Sequence, residues 1–235
     1  MMHHFIAEDI VSPYGWLSPE ESHHALQVLR LGPGAKISVT KGDGRIFKAL
    51  IIGEEGKRAR FQVVEESLRQ QVPLLHLGIA PPKSQDRFNF LLEKATEWGV
   101  ARITPLLCKH SERRQVKKAR GEKVIIAAVK QSKKGYIPQL DELTPLRQFL
   151  SHPPKGVKWI CHLRPGQHRE LTDCDWSAPL CALVGPEGDF SQEEVEMARE
   201  AGWQDLALGP EVLRTETAGL SLCAAAYLQR TSGKM

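Results

Sequence analysis

The sequence predicts two parts: a small β-rich domain over residues 1–70 and an α/β domain with a mostly parallel sheet over residues 74–235. In the first part, short runs with β-branched residues alternate with glycines and turn dipeptides. In the second part, apolar runs of strand length alternate with segments of helical periodicity, which is typical of an α/β sheet. Two glycine–proline loops near the C-terminus follow two of these apolar runs.

The β-rich part has the spacing of a small barrel. Asp43-Gly44 is a strong hairpin signal between two of its strands. A short helix is predicted over Glu20–Leu29, since Ser18 can cap it and Pro19 suits its first turn. Frequent short strands with turns between them favour a barrel. The predicted strands cover Ile37–Thr40, Ile46–Ile52 and Arg60–Val64.

The polar segment Glu65–Pro73 is predicted to link the two parts. Strands are then expected over Leu74–Ala80, Ile103–Cys108, Val157–Leu163, Leu180–Val184 and Leu206–Leu208. Helices are expected from a cap at Asp86 to Gly99, over Val116–Gln131, from Thr144 to Leu150, from the Ser191–Glu194 capping box to Gly202, and onward from Arg214.

The two glycine–proline loops are the candidate functional site. They read Gly185-Pro186-Glu187-Gly188 and Gly209-Pro210, and a polar cluster of residues 214–217 follows the second. A single loop of this kind is most simply a tight turn. Two of them, at the carboxyl ends of consecutive strands, favour a ligand site where glycine lets the backbone approach the ligand. Neither loop has the pattern of a dinucleotide or nucleotide-triphosphate site.

Composition narrows the class of protein. The 235 residues contain no apolar run long enough to span a membrane, and the N-terminus lacks a signal-peptide pattern, so a cytoplasmic protein is expected. Five cysteines without a C-x-x-C motif predict reduced, mostly buried thiols. The adjacent histidine pairs His3-His4 and His23-His24 cannot face one another, so no metal site is predicted.

Positive charge is concentrated in one segment. Residues 109–134 hold ten Lys and Arg but only two acids, whereas the whole chain has a net charge of +4. The alternative is a solvated helical face, but the acids that would pair such a face are nearly missing. The segment therefore predicts binding to a nucleic acid.

The paired loops carry a resemblance to a known family. Val184-Gly185-Pro186-Glu187-Gly188, followed by Leu208-Gly209-Pro210 and Val212–Ala218, resembles the RsmE family of bacterial SPOUT-class methyltransferases, and the likeness extends along nearly the whole chain. It implies a PUA-like barrel followed by an α/β domain with a C-terminal trefoil knot. It also implies a homodimer that methylates N3 of a uridine in 16S ribosomal RNA of the small subunit, with S-adenosylmethionine (SAM) as the donor.

The resemblance implies roles for individual residues. Arg214 is the candidate for stabilising the uracil oxyanion, and Glu187 is the candidate base or cofactor-orienting acid, or else an anion favoured near a helix N-terminus. Capping of the last helix is the first interpretation for Glu216 and Thr217, and the role of Glu211 stays open. The implied cofactor residues are Leu163, Val184, Gly185, Pro186, Glu187, Gly188, Leu208, Gly209, Pro210, Leu213, Thr215, Thr217 and Ala218.

RNA contacts are expected on both parts of the chain. For His24 a structural role is the equal alternative, and Lys134 stands where the family usually has arginine, which puts base-specific contact there in doubt. The candidate RNA-binding residues are His24, Arg30, Lys83, Arg113, Arg114, Lys117 and Lys134.

Three alternatives remain for the function. The chain could be a SPOUT methyltransferase of another ribosomal or transfer RNA nucleotide, or a non-catalytic RNA-binding assembly factor that keeps the fold. Binding of SAM separates the second from an enzyme. A dehydrogenase is disfavoured because the dinucleotide fingerprint is missing.

Overall fold

The computed structural model describes residues 2–70, 72, 75–163, 169–171, 174–176 and 178–232, with only the backbone of Ser232. The chain divides into two compact units, Met1–Val72 with Ile126–Ile137 and Pro73–Ile125 with Pro138–Met235. The first unit thus takes in a later segment that the sequence does not assign to it. Pro73 and Leu74, which the sequence places at the domain junction, lie outside the described residues.

The first unit contains a closed barrel of five strands in the order β1-β2-β5-β4-β3. Its strands pair antiparallel except for β1 with β3, which are parallel. Apolar side chains such as Phe5, Ile37 and Phe61 fill the interior and are fully buried or nearly so. The strands are β1 His3–Val11, β2 Tyr14–Leu17, β3 Lys36–Thr40, β4 Arg45–Glu55 and β5 Arg58–Arg69.

The structure confirms the three predicted barrel strands and adds two. A register shift between Ala7 and Asp9 interrupts the β1 ladder, so inward and outward residues do not alternate regularly and the sequence pattern misses the strand. The predicted linker is wrong over its first half, because β5 continues through Arg69 and pairs there with Arg45. The predicted helix is split into α1, Pro19–His23, which Ser18 caps, and a π-helical turn, His24–Val28.

The second unit is built on a parallel sheet in the order β11-β13-β10-β12-β6-β7-β8, with β9 paired to β7. Its strands are β6 Leu75–Ile79, β7 Arg102–Leu107, β8 Gln139–Leu140, β9 Thr144–Pro145, β10 Val157–Cys161, β11 Arg169–Glu170, β12 Leu180–Val184 and β13 Gln204–Ala207. Its helices are α2 Gln85–Trp98, α3 Lys118–Ser132, α4 Leu146–Ser151, α5 Gln192–Glu200 and α6 Thr215–Ser232. The division between the units falls within α3.

Local signals fix the ends of the helices. The hydroxyl of Ser84 accepts the N–H of Arg87 and caps α2, so the predicted cap at Asp86 is wrong; Asp86 lies in the first turn. Gly99 ends α2 in the left-handed conformation, as predicted. The predicted capping box of α5 is present in full, with Ser191 and Glu194 each bonding the other's backbone N–H.

Small residues let α6 approach the sheet. A Cβ atom added to Gly219 would lie 2.7 Å from Cδ1 of Ile79, so a larger residue would push the helix away from β6. All five cysteines are free thiols and four of them are buried, which confirms the prediction. Among the described residues, no helix is both long and apolar enough to cross a membrane.

Candidate active site

A cavity of about 290 Å³ opens at the carboxyl ends of β13, β10 and β12. These three strands are neighbours in the sheet and run parallel, so the loops that follow them meet at one edge. The cavity is lined by Cys161, His162, Leu163, Val184, Gly185, Pro186, Glu187, Asp189, Leu206, Ala207, Leu208, Gly209, Glu211, Val212, Leu213, Arg214, Thr215 and Ala218.

The two glycine–proline loops face one cavity, but they are not direct neighbours. Strand β10 lies between β12 and β13, and its end contributes residues 161–163 between the two loops. Of the predicted cofactor residues, Gly188, Pro210 and Thr217 do not line the cavity. Those that do are Leu163, Val184, Gly185, Pro186, Glu187, Leu208, Gly209, Leu213, Thr215 and Ala218.

The backbone faces the cavity at Gly209. Gly209 has a φ of +125°, and a Cβ atom there would meet no other atom within 4 Å, so the main chain faces open space. The hydroxyl of Thr215 donates to the carbonyl of Gly185 over 3.1 Å and ties the start of α6 to the first loop. The first loop and the start of α6 are therefore joined by a buried hydrogen bond that local sequence does not reveal.

Arg214 lies in the wall of the cavity immediately before α6. Its side chain is exposed, and no described residue forms a hydrogen bond or ion pair with it. Its carbonyl accepts the N–H of Ala218 over 2.8 Å and so begins the helix. The guanidinium is thus anchored at its base and has all of its donors available for a ligand.

Glu187 is held by a neighbouring loop. Its Oε1 atom accepts the backbone N–H of Lys83 over 3.2 Å. The Lys83 carbonyl in turn accepts Nη2 of Arg113. The Nε atom of Arg113 donates to the carbonyl of Pro82, and its Nη1 atom donates to the amide oxygen of Gln85. Arg113, predicted to bind RNA, therefore uses its donors to shape the loop that positions Glu187.

Glu216 is buried beside α2. Its Oε1 atom lies 3.7 Å from Nε of Arg87, and its Oε2 atom has no hydrogen-bond partner among the described residues. The predicted capping role of Glu216 is therefore wrong. Thr217 is exposed on the first turn of α6, and its carbonyl accepts the hydroxyl of Ser221.

His162 is a buried residue of the cavity wall that the sequence does not single out. Its Nε2 atom lies 3.3 Å from Oδ2 of Asp205, and that oxygen accepts Nη2 of Arg199 at 2.6 Å. Burial acts to raise the pKa of Asp205, but the neighbouring Arg199 and His162 outweigh it and lower the pKa. The ionised carboxylate therefore lies beside the buried imidazole.

The other predicted RNA-binding residues lie in different surroundings. Arg30, Arg114 and Lys117 are exposed. Lys83 is exposed and its Nζ lies 2.7 Å from Glu112. The ring of His24 packs edge-on against Phe5, with 6.0 Å between ring centroids.

Lys134 is half-buried, and its carbonyl accepts Nε2 of His4 over 3.1 Å. The structure therefore leaves three of the seven candidates, Arg30, Arg114 and Lys117, with exposed side chains outside any ion pair or side-chain hydrogen bond among the described residues. No group of three or more potential metal ligands occurs in the part of the chain that the structure describes.

Comparison with known proteins defines the class. Residues 69–227 match the family model of the RNA methyltransferase domain, and residues 17–64 match that of the RNA methyltransferase PUA domain. The first match covers well over half of the chain, and the second falls within the barrel unit. The chain belongs to the RNA methyltransferase family.

Individual relatives give the same result. A probable rRNA-methyltransferase from Porphyromonas gingivalis is 33% identical over 99% of this chain and 100% of its own, with a TM-score of 0.87. The ribosomal RNA small subunit methyltransferase E of Neisseria gonorrhoeae, solved with S-adenosyl methionine, is 29% identical over 98% of both chains, with a TM-score of 0.85. The enzyme of that name from Buchnera aphidicola is 27% identical over 97% of this chain and 93% of its own.

These likenesses confirm the resemblance to the RsmE family. The predicted fold class is confirmed as a PUA-like barrel followed by a SPOUT-type α/β domain. The C-terminal trefoil knot and the roles of individual site residues stay predictions.

Proposed function

We propose that this protein transfers a methyl group from SAM to N3 of a uridine in 16S ribosomal RNA of the small subunit. The observation that carries the proposal is the cavity at the sheet edge, which three loops and the exposed Arg214 line. Relatives that share nearly the whole chain bear the name small subunit methyltransferase E, and one was solved with SAM bound.

The cavity suits SAM by its chemistry. Apolar side chains such as Leu206 and Val184 offer surfaces for an adenine ring, and backbone groups near Gly185 and Gly209 can recognise its edge. Glu187 and Glu211 lie in the same wall, and their carboxylates favour a cationic ligand. When bound, SAM supplies an activated methyl group on a positively charged sulfur, so the chain need not provide a metal.

The protein must then position the base and favour its deprotonated form. N3 of uracil carries a weakly acidic proton, and the negative charge left by its departure spreads onto the ring oxygens. The permanent charge of Arg214 can stabilise that oxyanion at the mouth of the cavity. Holding two reactants in line contributes roughly 7–11 kcal/mol of barrier reduction. Since N3 is hidden in a base pair, the uridine must be unpaired or flipped out.

Glu187 is proposed as the acid that faces the reaction. The Lys83 N–H occupies one carboxylate oxygen, and this fixes the side chain at the cavity wall. The second oxygen is then available to receive the N3 proton or to orient the cofactor. Arg113 supports this arrangement as a positioning residue, because its Nη2 atom donates to the carbonyl of Lys83.

RNA is proposed to bind both domains, assigned as residues 1–70 for the PUA-like barrel and 74–235 for the methyltransferase domain. Exposed cations support this on each, with Arg30 on the first and Arg114 and Lys117 on the second. Phosphate contacts from such side chains provide affinity that falls with salt and is independent of sequence. This function requires that the enzyme be cytoplasmic and act on the small ribosomal subunit.

A homodimer is also proposed. Helices α2 and α6 pack together through Trp98 and Tyr227, whose ring centroids lie 5.4 Å apart. They leave Phe90 and Leu228 about half exposed, at 48% and 54%. Exposed apolar side chains on paired helices favour burial against a second copy. Light scattering should give twice the chain mass, and a monomer at micromolar concentration would contradict this.

The decisive experiment incubates the protein with isotope-labelled SAM and either small subunits or free 16S RNA, followed by mass analysis of the nucleosides. We expect label in 3-methyluridine and in no other nucleoside. Label in a different nucleoside would assign the enzyme to another RNA target. Binding of SAM without transfer to either substrate would favour a non-catalytic assembly factor.

A further inference from the structure

Asp189 is a non-glycine residue in the left-handed backbone region, with a φ of +59°. It follows the first glycine–proline loop and lines the cavity. Such a conformation disfavours most side chains, although Asp and Asn tolerate it better than others. It persists only where the surroundings hold it in place.

The surroundings of Asp189 hold it through four hydrogen bonds. Its N–H donates to the Pro186 carbonyl over 2.9 Å and closes the loop. Its Oδ1 atom accepts the Phe190 N–H over 2.7 Å. Its Oδ2 atom accepts the N–H of Leu163 over 3.0 Å, reaching the loop after β10.

The fourth bond comes from His110, in the loop after β7. Nδ1 of His110 lies 3.0 Å from the carbonyl oxygens of both Gly188 and Asp189. Since carbonyl oxygens only accept, Nδ1 must carry the hydrogen and donate. Asp189 is thus the meeting point of three chain segments that are 26 to 79 residues apart.

We propose that Asp189 is a positioning residue for the cofactor: its carboxylate clamps the Leu163 loop onto the glycine–proline loop and so fixes the shape of the cavity. Each carboxylate oxygen accepts one N–H, one from its own loop and one from the neighbouring loop. Without these acceptors, the N–H of Leu163 loses its hydrogen bond to the first loop. The inference deepens the proposed function, since it rests on this cavity being the SAM site.

Three variants test the clamp: Asp189→Gly, Asp189→Ala and Lys133→Gly. Glycine at 189 removes both acceptors but suits the backbone, so the variant should fold. Alanine removes the acceptors and keeps the strain. Lys133 also has a left-handed backbone, with a φ of +52°, and does not line the cavity, so Lys133→Gly is the matched control for strain relief.

Titration calorimetry measures the affinity of each variant for SAM and for S-adenosylhomocysteine, the uncharged product. We expect Kd to rise about tenfold for both ligands in both Asp189 variants, the loss typical of a charge-assisted hydrogen bond. Lys133→Gly should bind like the wild type. In steady-state transfer, Asp189→Gly should show a rise in KM for SAM that matches its rise in Kd, because a clamp acts on binding.

Two outcomes would overturn the proposal. If both Asp189 variants bind both ligands as tightly as the wild type does, the bond to Leu163 has no role in the cavity. If only SAM binds more weakly, the carboxylate acts on the sulfonium charge and is no clamp. Failure of the wild-type protein to bind either ligand would instead refute the cavity as the SAM site, so the two failures are distinguishable.

Discussion

At the scale of single residues, Arg214 has a fixed backbone position and a positively charged side chain that is available to a ligand. Its backbone starts α6, while its side chain has no partner among the described residues. Several arginines of the same unit are engaged, such as Arg199 with Asp205 and Arg102 with Asp141, whereas Arg214 is unengaged by the described residues and lines the cavity. An arginine without a partner at the mouth of a cavity is best explained by a ligand that supplies the negative charge.

Substitution of Arg214 should separate binding from chemistry. In Arg214→Ala we expect the affinity for SAM to be kept and methyl transfer to fall by at least about a hundredfold, the usual cost of losing an oxyanion donor. Arg214→Lys keeps the charge but loses the fork and should recover part of the rate. Calorimetry and single-turnover transfer measure the two effects. Transfer at near wild-type rate in the alanine variant would remove Arg214 from the mechanism.

His76 should make stability depend on pH. Burial lowers its pKa to about 4, Arg102 acts in the same direction, and Asp141 opposes them. The unfolded chain therefore binds a proton between pH 6.5 and about 4 that the folded chain does not. The free energy of unfolding should fall by about 3 kcal/mol as the pH is lowered through this window. Urea titrations of His76→Gln should show a shallower fall; an unchanged slope would refute the assignment.

At the scale of elements, the start of α5 ties two segments together. Ser191 and Glu194 form the capping box, and the Oε1 atom of Glu194 also accepts the N–H of Lys109 over 2.8 Å. Glu194 is buried and its two oxygens accept two backbone donors. The helix therefore holds the segment that precedes His110.

Removing the cap should measurably weaken the fold. Ser191→Ala leaves the Glu194 N–H without its partner and should lower the free energy of unfolding by about 1 kcal/mol. Ser191→Thr keeps the hydroxyl and is the matched control. Denaturant titration at pH 7 compares the three proteins. A loss of equal size in both variants would point to packing of the side chain instead of the hydrogen bond.

The Lys and Arg side chains of the basic segment 109–134 differ in their contacts. Arg113 is engaged with backbone carbonyls, and Lys118 lies 3.7 Å from Glu122 and 3.8 Å from Glu142. Arg114, Lys117 and Lys123 are exposed. These three are therefore better candidates for phosphate contacts than Arg113 and Lys118.

Replacing those three residues by glutamine should change the salt dependence of RNA binding. If each contacts one phosphate, the slope of log K against log salt should become shallower by about 2 to 3. Arg147→Gln with Lys155→Gln removes two exposed cations outside the segment and should leave the slope unchanged. Fluorescence anisotropy with a 16S fragment measures both. An unaltered slope in the triple variant would indicate that the segment is a solvated helical face that does not contact RNA.

The sequence predicted what depends on near neighbours. The capping box of α5, the Gly99 terminus of α2 and the strand Leu180–Val184 are all found where local pattern places them. Sequence reasoning failed where a contact joins residues that are distant along the chain. Asp189 contacts a residue 26 positions away and His162 contacts one 43 positions away, and no periodicity encodes such pairs.

At the scale of the whole molecule, the barrel unit is discontinuous in sequence. Residues 126–137 belong to it, and backbone and side-chain bonds explain why. The Gly135 carbonyl accepts the N–H of Gly44 at 2.8 Å and the hydroxyl of Thr40 at 3.0 Å. Lys130 forms a partly buried ion pair with Glu21 at 2.7 Å. The described residues that line the proposed cofactor cavity, in contrast, all lie within residues 161–218.

A fragment of residues 73–235 should therefore keep SAM binding but lose stability. The cavity residues are all present, so the affinity measured by calorimetry should stay within about threefold of the full chain. Residues 126–137 lose their barrel partners, and each lost hydrogen bond costs about 0.5–1.5 kcal/mol. Circular dichroism should show a lower unfolding temperature. Thr40→Val in the full chain removes one of these bonds and should lower the unfolding temperature by a smaller amount. A folded fragment with no affinity for SAM would show that the cavity depends on the barrel unit.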